Sequence, residues 1–137
     1  GIYCHHDGYP SGVGATLLEH YNDRERAAEL VNLGDISVLG ERLSPNDGEE
    51  HSFERPAKGV TLAYHRDRGD GGQPDVEFRR SVESCAAAYA GIEYIYVYDN
   101  GWHVGKWSEE AAKKGWRFQS VPLSSALGVK NKEKAQG

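Results

Sequence analysis

The chain has 137 residues, 38% of them hydrophobic, and a net charge of −5. That length suits one domain with a modest core, and no apolar run approaches the ~20 residues that a membrane span needs. The acidic balance argues against a nucleic-acid backbone as the main partner, and 2 cysteines without a C-x-x-C pair argue against a disulfide framework.

The opening, Ile2-Tyr3-Cys4-His5, reads as a strand. The chain contains no Met, so we expect either an upstream segment that pairs with this strand or loss of the initiator before Gly1. The first ten residues lack the basic start and apolar stretch of a secretory signal, and two reduced thiols fit a cytoplasmic protein. Asp7-Gly8-Tyr9-Pro10-Ser11-Gly12 is dense in turn formers. Val13, Leu17, Leu18 and Tyr21 then recur at helical spacing and predict a helix from about Gly12 to Tyr21.

Asn22 with Glu25 reads as a capping box for a second helix, whose stripe is Ala27, Leu30 and Val31 and whose stop is Gly34. Residues 35–39 fit a helical turn or a short strand. Gly40 to Gly59 is a polar loop, and a loop of that length in a small domain is functional or mobile. Val60 to His65 reads as a strand, followed by a Gly-rich loop from Arg66 to Pro74. Ser81 caps a third helix with Val82, Cys85, Ala86 and Tyr89 on its buried face; Gly91 ends it.

Glu93 to Tyr98 and Trp102 to Trp107 flank Asp99-Asn100-Gly101, a strong hairpin turn. Tyr94, Tyr96 and Tyr98 share one face and Ile95 and Val97 the other, so the hairpin is expected to be central in its sheet. Ser108-Glu109-Glu110 opens a short helix that Lys113-Lys114 closes. Trp116 to Val121 is a last strand candidate, and periodicity is lost from Leu123 onward. The class is α+β: a small antiparallel sheet with three to four helices packed on it. Residues 1–123 form one domain, and residues 124–137 read as a polar, flexible tail.

Three clusters invite chemistry. The first is Cys4-His5-His6-Asp7. In a strand, Cys4 and His6 face one way and His5 and Asp7 the other, so the four cannot grip one ion. A metal site would take His5 and Asp7 with help from His20, His51, His65, Asp67 or Asp70, but no tightly paired ligand spacing is present. The bland reading gives Asp7-Gly8 a turn role, with the Asp7 carboxylate on nearby backbone N–H groups. The second is Gly8 to Thr16, a Gly-rich turn into a helix; it lacks the lysine and glycine spacing of a phosphate loop.

The third is Tyr64-His65-Arg66-Asp67-Arg68-Gly69-Asp70. If the strand continues, Arg66 and Arg68 lie on one side and suit a carboxylate or phosphate. The plain alternative is a solvated ion-pair cluster. A Cys4 nucleophile with His5 or His20 as base is also conceivable, although Cys4 and His5 point apart. The hairpin aromatics Tyr94, Tyr96, Tyr98, Trp102 and Trp107 fit core packing better than base stacking.

The stretches "IYCHHDGYPSGVGATLLEHY", "LGDISVLG" and "YHRDRGD" resemble a family of small uncharacterised proteins from phages, prophages and bacterial genomes. The likeness runs from Ile2 to about Asp70 and more loosely through the Tyr-rich hairpin. It implies an upstream Ser-Thr-Arg-Ser segment and strand, absent here, and a variable position at His6. It draws attention to His5, Asp7, Tyr9, His20, Arg66, Asp67 and Arg68 as ligand-binding candidates, and it implies no established reaction.

The expected function is therefore that of a non-enzymatic accessory protein of phage or mobile-element type in the host cytoplasm. It would bind a host or defence protein, or a small anionic ligand, and self-association is compatible with either. No cofactor, metal, membrane or nucleic-acid partner is expected. One alternative is a hydrolase or phosphodiesterase using His5 or His20 with Asp7 or Asp67 and Arg66 or Arg68; another is a virion component. Convergence of those groups in one concave pocket would favour the enzyme.

Overall fold

The computed structural model describes residues 1–128. Residues 129–137, most of the expected tail, lie outside the described residues. The fold is α+β, with two short antiparallel sheets and several short helices packed around one core.

The opening turn runs into a π-helical turn at Pro10–Gly14 and then α1 (Ala15–His20). Pro10 suits the first position because it has no N–H to leave unpaired. Gly12 is dictated by crowding: a Cβ there would lie 2.5 Å from the Asp7 carbonyl oxygen. Val13 and Leu17 reach the core and Tyr21 is fully buried behind them.

Helix α2 (Arg24–Asn32) is capped by Asp23, whose carboxylate accepts the Arg26 N–H at 2.8 Å. This corrects the expected box of Asn22 and Glu25 by one residue. Asp23 holds the extended backbone that a cap requires, and its charge complements the positive helix end. Ala27 and Leu30 are buried, Val31 only half so.

Residues 35–39 resolve as a strand. β1 (Ile36–Val38) pairs antiparallel with β2 (Leu62–Ala63), with Ile36 opposite Ala63. On its other side β1 meets the opening segment through a parallel bridge between Cys4 and Ile36. The strand expected over Val60 to His65 is cut short, because Tyr64–Arg68 form a helical turn, α3. The cause is Asp67, whose carboxylate reaches back to the Ala63 N–H at 2.8 Å and satisfies a donor at the start of the turn.

Helix α4 (Val82–Ala86) has the expected cap, Ser81, which accepts the Ser84 N–H. The hairpin forms as read: β3 (Tyr94–Tyr98) and β4 (Trp102–Lys106) pair with Tyr98 opposite Trp102, and Asn100 and Gly101 take positive φ at the turn. α5 (Glu109–Lys113) is capped by Ser108. Of the last strand candidate, only its end pairs, as β5 (Val121–Pro122) against β4.

The sheet order is therefore β3-β4-β5. Only β4 is central, and β3 is an edge, which corrects the expectation for the hairpin as a whole. Order does not end at Leu123 either. Leu123–Ala126 form α6, and Leu123 is fully buried against the core of Leu17, Tyr21, Ile36, Trp102 and Val104.

Candidate functional site

The opening cluster is a surface turn. Asp7 takes φ 57°, its carbonyl accepts the Val13 N–H at 2.8 Å, and its carboxylate accepts the Tyr9 hydroxyl at 3.0 Å. The turn is thus closed by the Asp7 backbone, not by its carboxylate on N–H groups as the bland reading had it. His5 is exposed, with its ring edge-on to His6 at 4.6 Å and the Tyr3 hydroxyl 3.3 Å from Nδ1.

Burial pushes the Cys4 thiol up to about 11, and Sγ donates to the His6 carbonyl at 3.3 Å. A thiol held protonated in this way is a poor nucleophile. His20 lies elsewhere, 3.8 Å from Glu19 and 3.8 Å from Glu41. Among the described residues it shares no hydrogen bond or ion pair with His5, Asp7 or the arginines of α3.

Those arginines do not form a free pair. Because α3 replaces the strand, Arg66 and Arg68 diverge. Arg66 is consumed internally: it bonds Asp67 at 2.7 Å, the Leu43 carbonyl at 2.6 Å and the Thr61 carbonyl at 2.7 Å. Arg68 forms a two-point pair with Asp70 and lies over the Tyr64 ring at 4.7 Å.

Asp67 is the hub of the first set, with its side chain only 5% exposed. Burial pushes its carboxyl up, but the Arg66 guanidinium, the Ala63 N–H and His51 outweigh that and hold it below the usual carboxylate range. With the Arg42–Glu49 pair at 2.8 Å, this network ties the long 40–59 loop to β2 and α3. Among the described residues no group of three His, Cys, Asp or Glu side chains is placed to hold a metal ion. No helix among them is long and apolar enough to cross a membrane.

The large concave feature lies elsewhere. A groove of about 940 Å³ runs between the opening segment and β3. Residues 1–5 line one side and residues 92–98 the other. Its floor includes Leu17, Ala27, Leu30 and Ile36, and α4 contributes Val82, Cys85 and Ala86. Tyr96 ties the two sides at one point, its hydroxyl donating to the Gly8 carbonyl at 2.7 Å. Asp35 braces the opening segment by accepting the Tyr3 N–H at 2.8 Å and the Tyr89 hydroxyl at 3.3 Å.

Of the seven residues singled out in the sequence, only His5 and Tyr9 line this groove. The sequence signal for the rest was the apolar character of Ile2, Ile95 and Val97 beside the tyrosines, which reads equally well as core. No family model, curated relative or solved structure matches the chain.

Proposed function

We propose that this protein acts by binding another polypeptide, as an accessory protein of phage or mobile-element type working in a host cytoplasm. The observation that carries this reading is the disposition of its polar and apolar surface. Arg66 and Asp67 are engaged with partners inside the fold and Arg68 is paired with Asp70 at the surface, while the large concave surface is lined mainly by aliphatic and tyrosine side chains. Such surfaces bind protein segments better than small anions.

The hydrolase alternative asks His5 or His20 to work beside Asp7 or Asp67 and a free guanidinium. Asp7 sits on an exposed turn with Tyr9, and Asp67 lies beneath Arg66 and His51. The resemblance to phage and prophage proteins supports the cellular setting.

The test has two arms. The tagged protein is expressed in a bacterial cytoplasm, and a co-purifying polypeptide is then purified alone and titrated back calorimetrically. In parallel, thermal shifts are recorded with inorganic phosphate, nucleotides and divalent metals. A stoichiometric complex with one polypeptide is expected. A shift with phosphate or nucleotide accompanied by turnover would reverse the conclusion in favour of the hydrolase.

A further inference from the structure

The far end of the 40–59 loop is closed by one side chain. The Ala57 N–H donates to His51 Nδ1 at 2.9 Å. A backbone N–H can only donate, so Nδ1 carries its lone pair and the ring is neutral in this arrangement. The segment inside the closure is held by short-range contacts. The Ser52 N–H donates to the Arg55 carbonyl at 3.2 Å, and the Arg55 N–H to Ser52 Oγ at 3.0 Å. Glu54, Arg55 and Pro56 are exposed. Phe53 is half-buried, its ring 5.7 Å from that of Tyr64 in α3 and 5.5 Å from the Arg68 guanidinium.

The charges around the ring are already matched. On the α3 side, Nε2 lies 3.1 Å from Asp67 Oδ2. That oxygen accepts the Ala63 N–H at 2.8 Å and Arg66 Nη2 at 3.0 Å, and Arg66 Nε holds Oδ1 at 2.7 Å. On the loop side, Glu49 acts on the ring, and both of its oxygens are taken by Arg42. Glu50 and Arg55 pair at the surface, 3.8 Å apart. Each carboxylate facing His51 therefore has its own guanidinium.

A proton added to His51 meets two costs in the closed loop. It places an unmatched positive charge on a side chain only 2% exposed. It also removes the lone pair at Nδ1, so the Ala57 N–H faces another N–H and loses its acceptor. Neither cost falls on an open loop, where water serves both groups. The proton therefore favours opening.

We propose that His51 is a proton-operated latch. Neutral, it holds residues 52–57 against α3; protonated, it lets them swing out and uncovers the facing rings of Phe53 and Tyr64, while both sheets stay folded. Histidine changes charge between pH 5 and 8, and a local element of this kind converts that change into a change of surface. The device acts whatever the protein binds. It gives the long polar loop a task that neither its composition nor its ion pairs disclose.

The test is a nuclear magnetic resonance titration of the isotope-labelled full chain between pH 8 and pH 5. The ring nitrogen and carbon shifts of His51 report its protonation, and amide exchange reports opening. At pH 8, Nδ1 is expected to resonate as a bare nitrogen and Nε2 as a protonated one. As His51 takes up its proton, the protection of the Ala57 amide should fall about tenfold. The fall should share the midpoint of the His51 ring, while Ile95 and Val97 in β3 keep their protection.

His65 is the control, because it too buries an unpartnered ring nitrogen, Nδ1, among the described residues. His51→Asn offers Oδ1 where Nδ1 stood and cannot titrate, so its Ala57 amide should stay protected across the whole range. An Ala57 amide that ignores the His51 titration overturns the proposal. So does a His51 ring that stays neutral to pH 5, the same opening in H51N, or loss of Ile95 and Val97 protection at the same midpoint. Should H51N fail to fold, the wild-type titration decides alone, by whether the Ala57 midpoint follows the ring of His51 or that of His65.

Discussion

His51 Nε2 lies 3.1 Å from Asp67 Oδ2, and the two side chains are only 2% and 5% exposed. The ring's other nitrogen, Nδ1, accepts the Ala57 N–H at 2.9 Å. That bond places the proton on Nε2, facing the carboxylate. Nε2 makes no regular hydrogen bond, so the contact acts as a charge–dipole attraction. One side chain thus fastens the end of the 40–59 loop to α3, where a sequence reader would look for an active histidine and aspartate.

Replacing Asp67 by Asn should be severe. The amide cannot serve the Ala63 N–H and the Arg66 guanidinium at once, and it leaves a half-buried positive charge short of a partner. Losses of about 2–4 kcal/mol are expected for such a break, read from urea denaturation. His51→Ala should cost less, because Asp67 keeps its stronger partners. Equal stability of D67N and wild type would remove Asp67 from its place as hub.

Three carboxylates should give two opposite pH signatures. Asp67 sits below its ordinary value, and the Arg42 pairing and the Asn46 N–H hold Glu49 down at about 2. Their contribution is present above the unfolded carboxylate range and is lost as pH falls through the folded values, so stability should drop from about pH 4 downward. Asp35 is raised, chiefly by burial. Its charge therefore costs stability as pH rises through its folded value. D35N, which keeps an acceptor for Tyr3 and Tyr89, should melt higher than wild type at pH 7 and alike below about pH 4. A lower melting point at pH 7 would show that the charge itself stabilises the segment.

Thr61 is fully buried and polar. Its hydroxyl accepts the Gly40 N–H at 3.0 Å and lies 3.3 Å from the Tyr21 hydroxyl. Thr61→Val keeps the shape and orphans the Gly40 donor, which should cost about 1–3 kcal/mol. Calorimetric melting compared with Thr61→Ser, which retains the hydroxyl, separates the bond from the lost methyl. A serine variant as weak as the valine would assign the effect to packing.

Cys4 should resist alkylation. With its thiol pushed up to about 11 by burial, only about a thousandth is thiolate at pH 8. Iodoacetamide labelling followed by peptide mass mapping should find Cys4 modified slowly in native buffer and fully in guanidinium. Rapid native labelling at pH 7 would mean an activated thiol and reopen nucleophilic chemistry at the opening turn.

Much of the local architecture is written in the amino-acid order. Asn100-Gly101 determined the hairpin and its register, because few other residues accept positive φ there. Ser81 and Ser108 determined where two helices begin, and the spacing of Val13, Leu17 and Tyr21 determined a buried helical face. These depend on neighbours within a few residues, where backbone sterics and capping decide.

What only the tertiary structure decided depends on partners far along the chain. Asp67 turned an apparent strand into α3 by accepting the Ala63 N–H and lies against His51, while Arg66 is drawn inward by Asp67 and by the Leu43 and Thr61 carbonyls. β5 covered one edge of β4 and left β3 as the other edge of the sheet. The groove is lined by residues 1–5 and 92–98, which are remote in the chain and are brought together only by the fold. A strand's own residues fix its pleat, but whether its edge is filled is settled by long-range pairing, which no local pattern encodes.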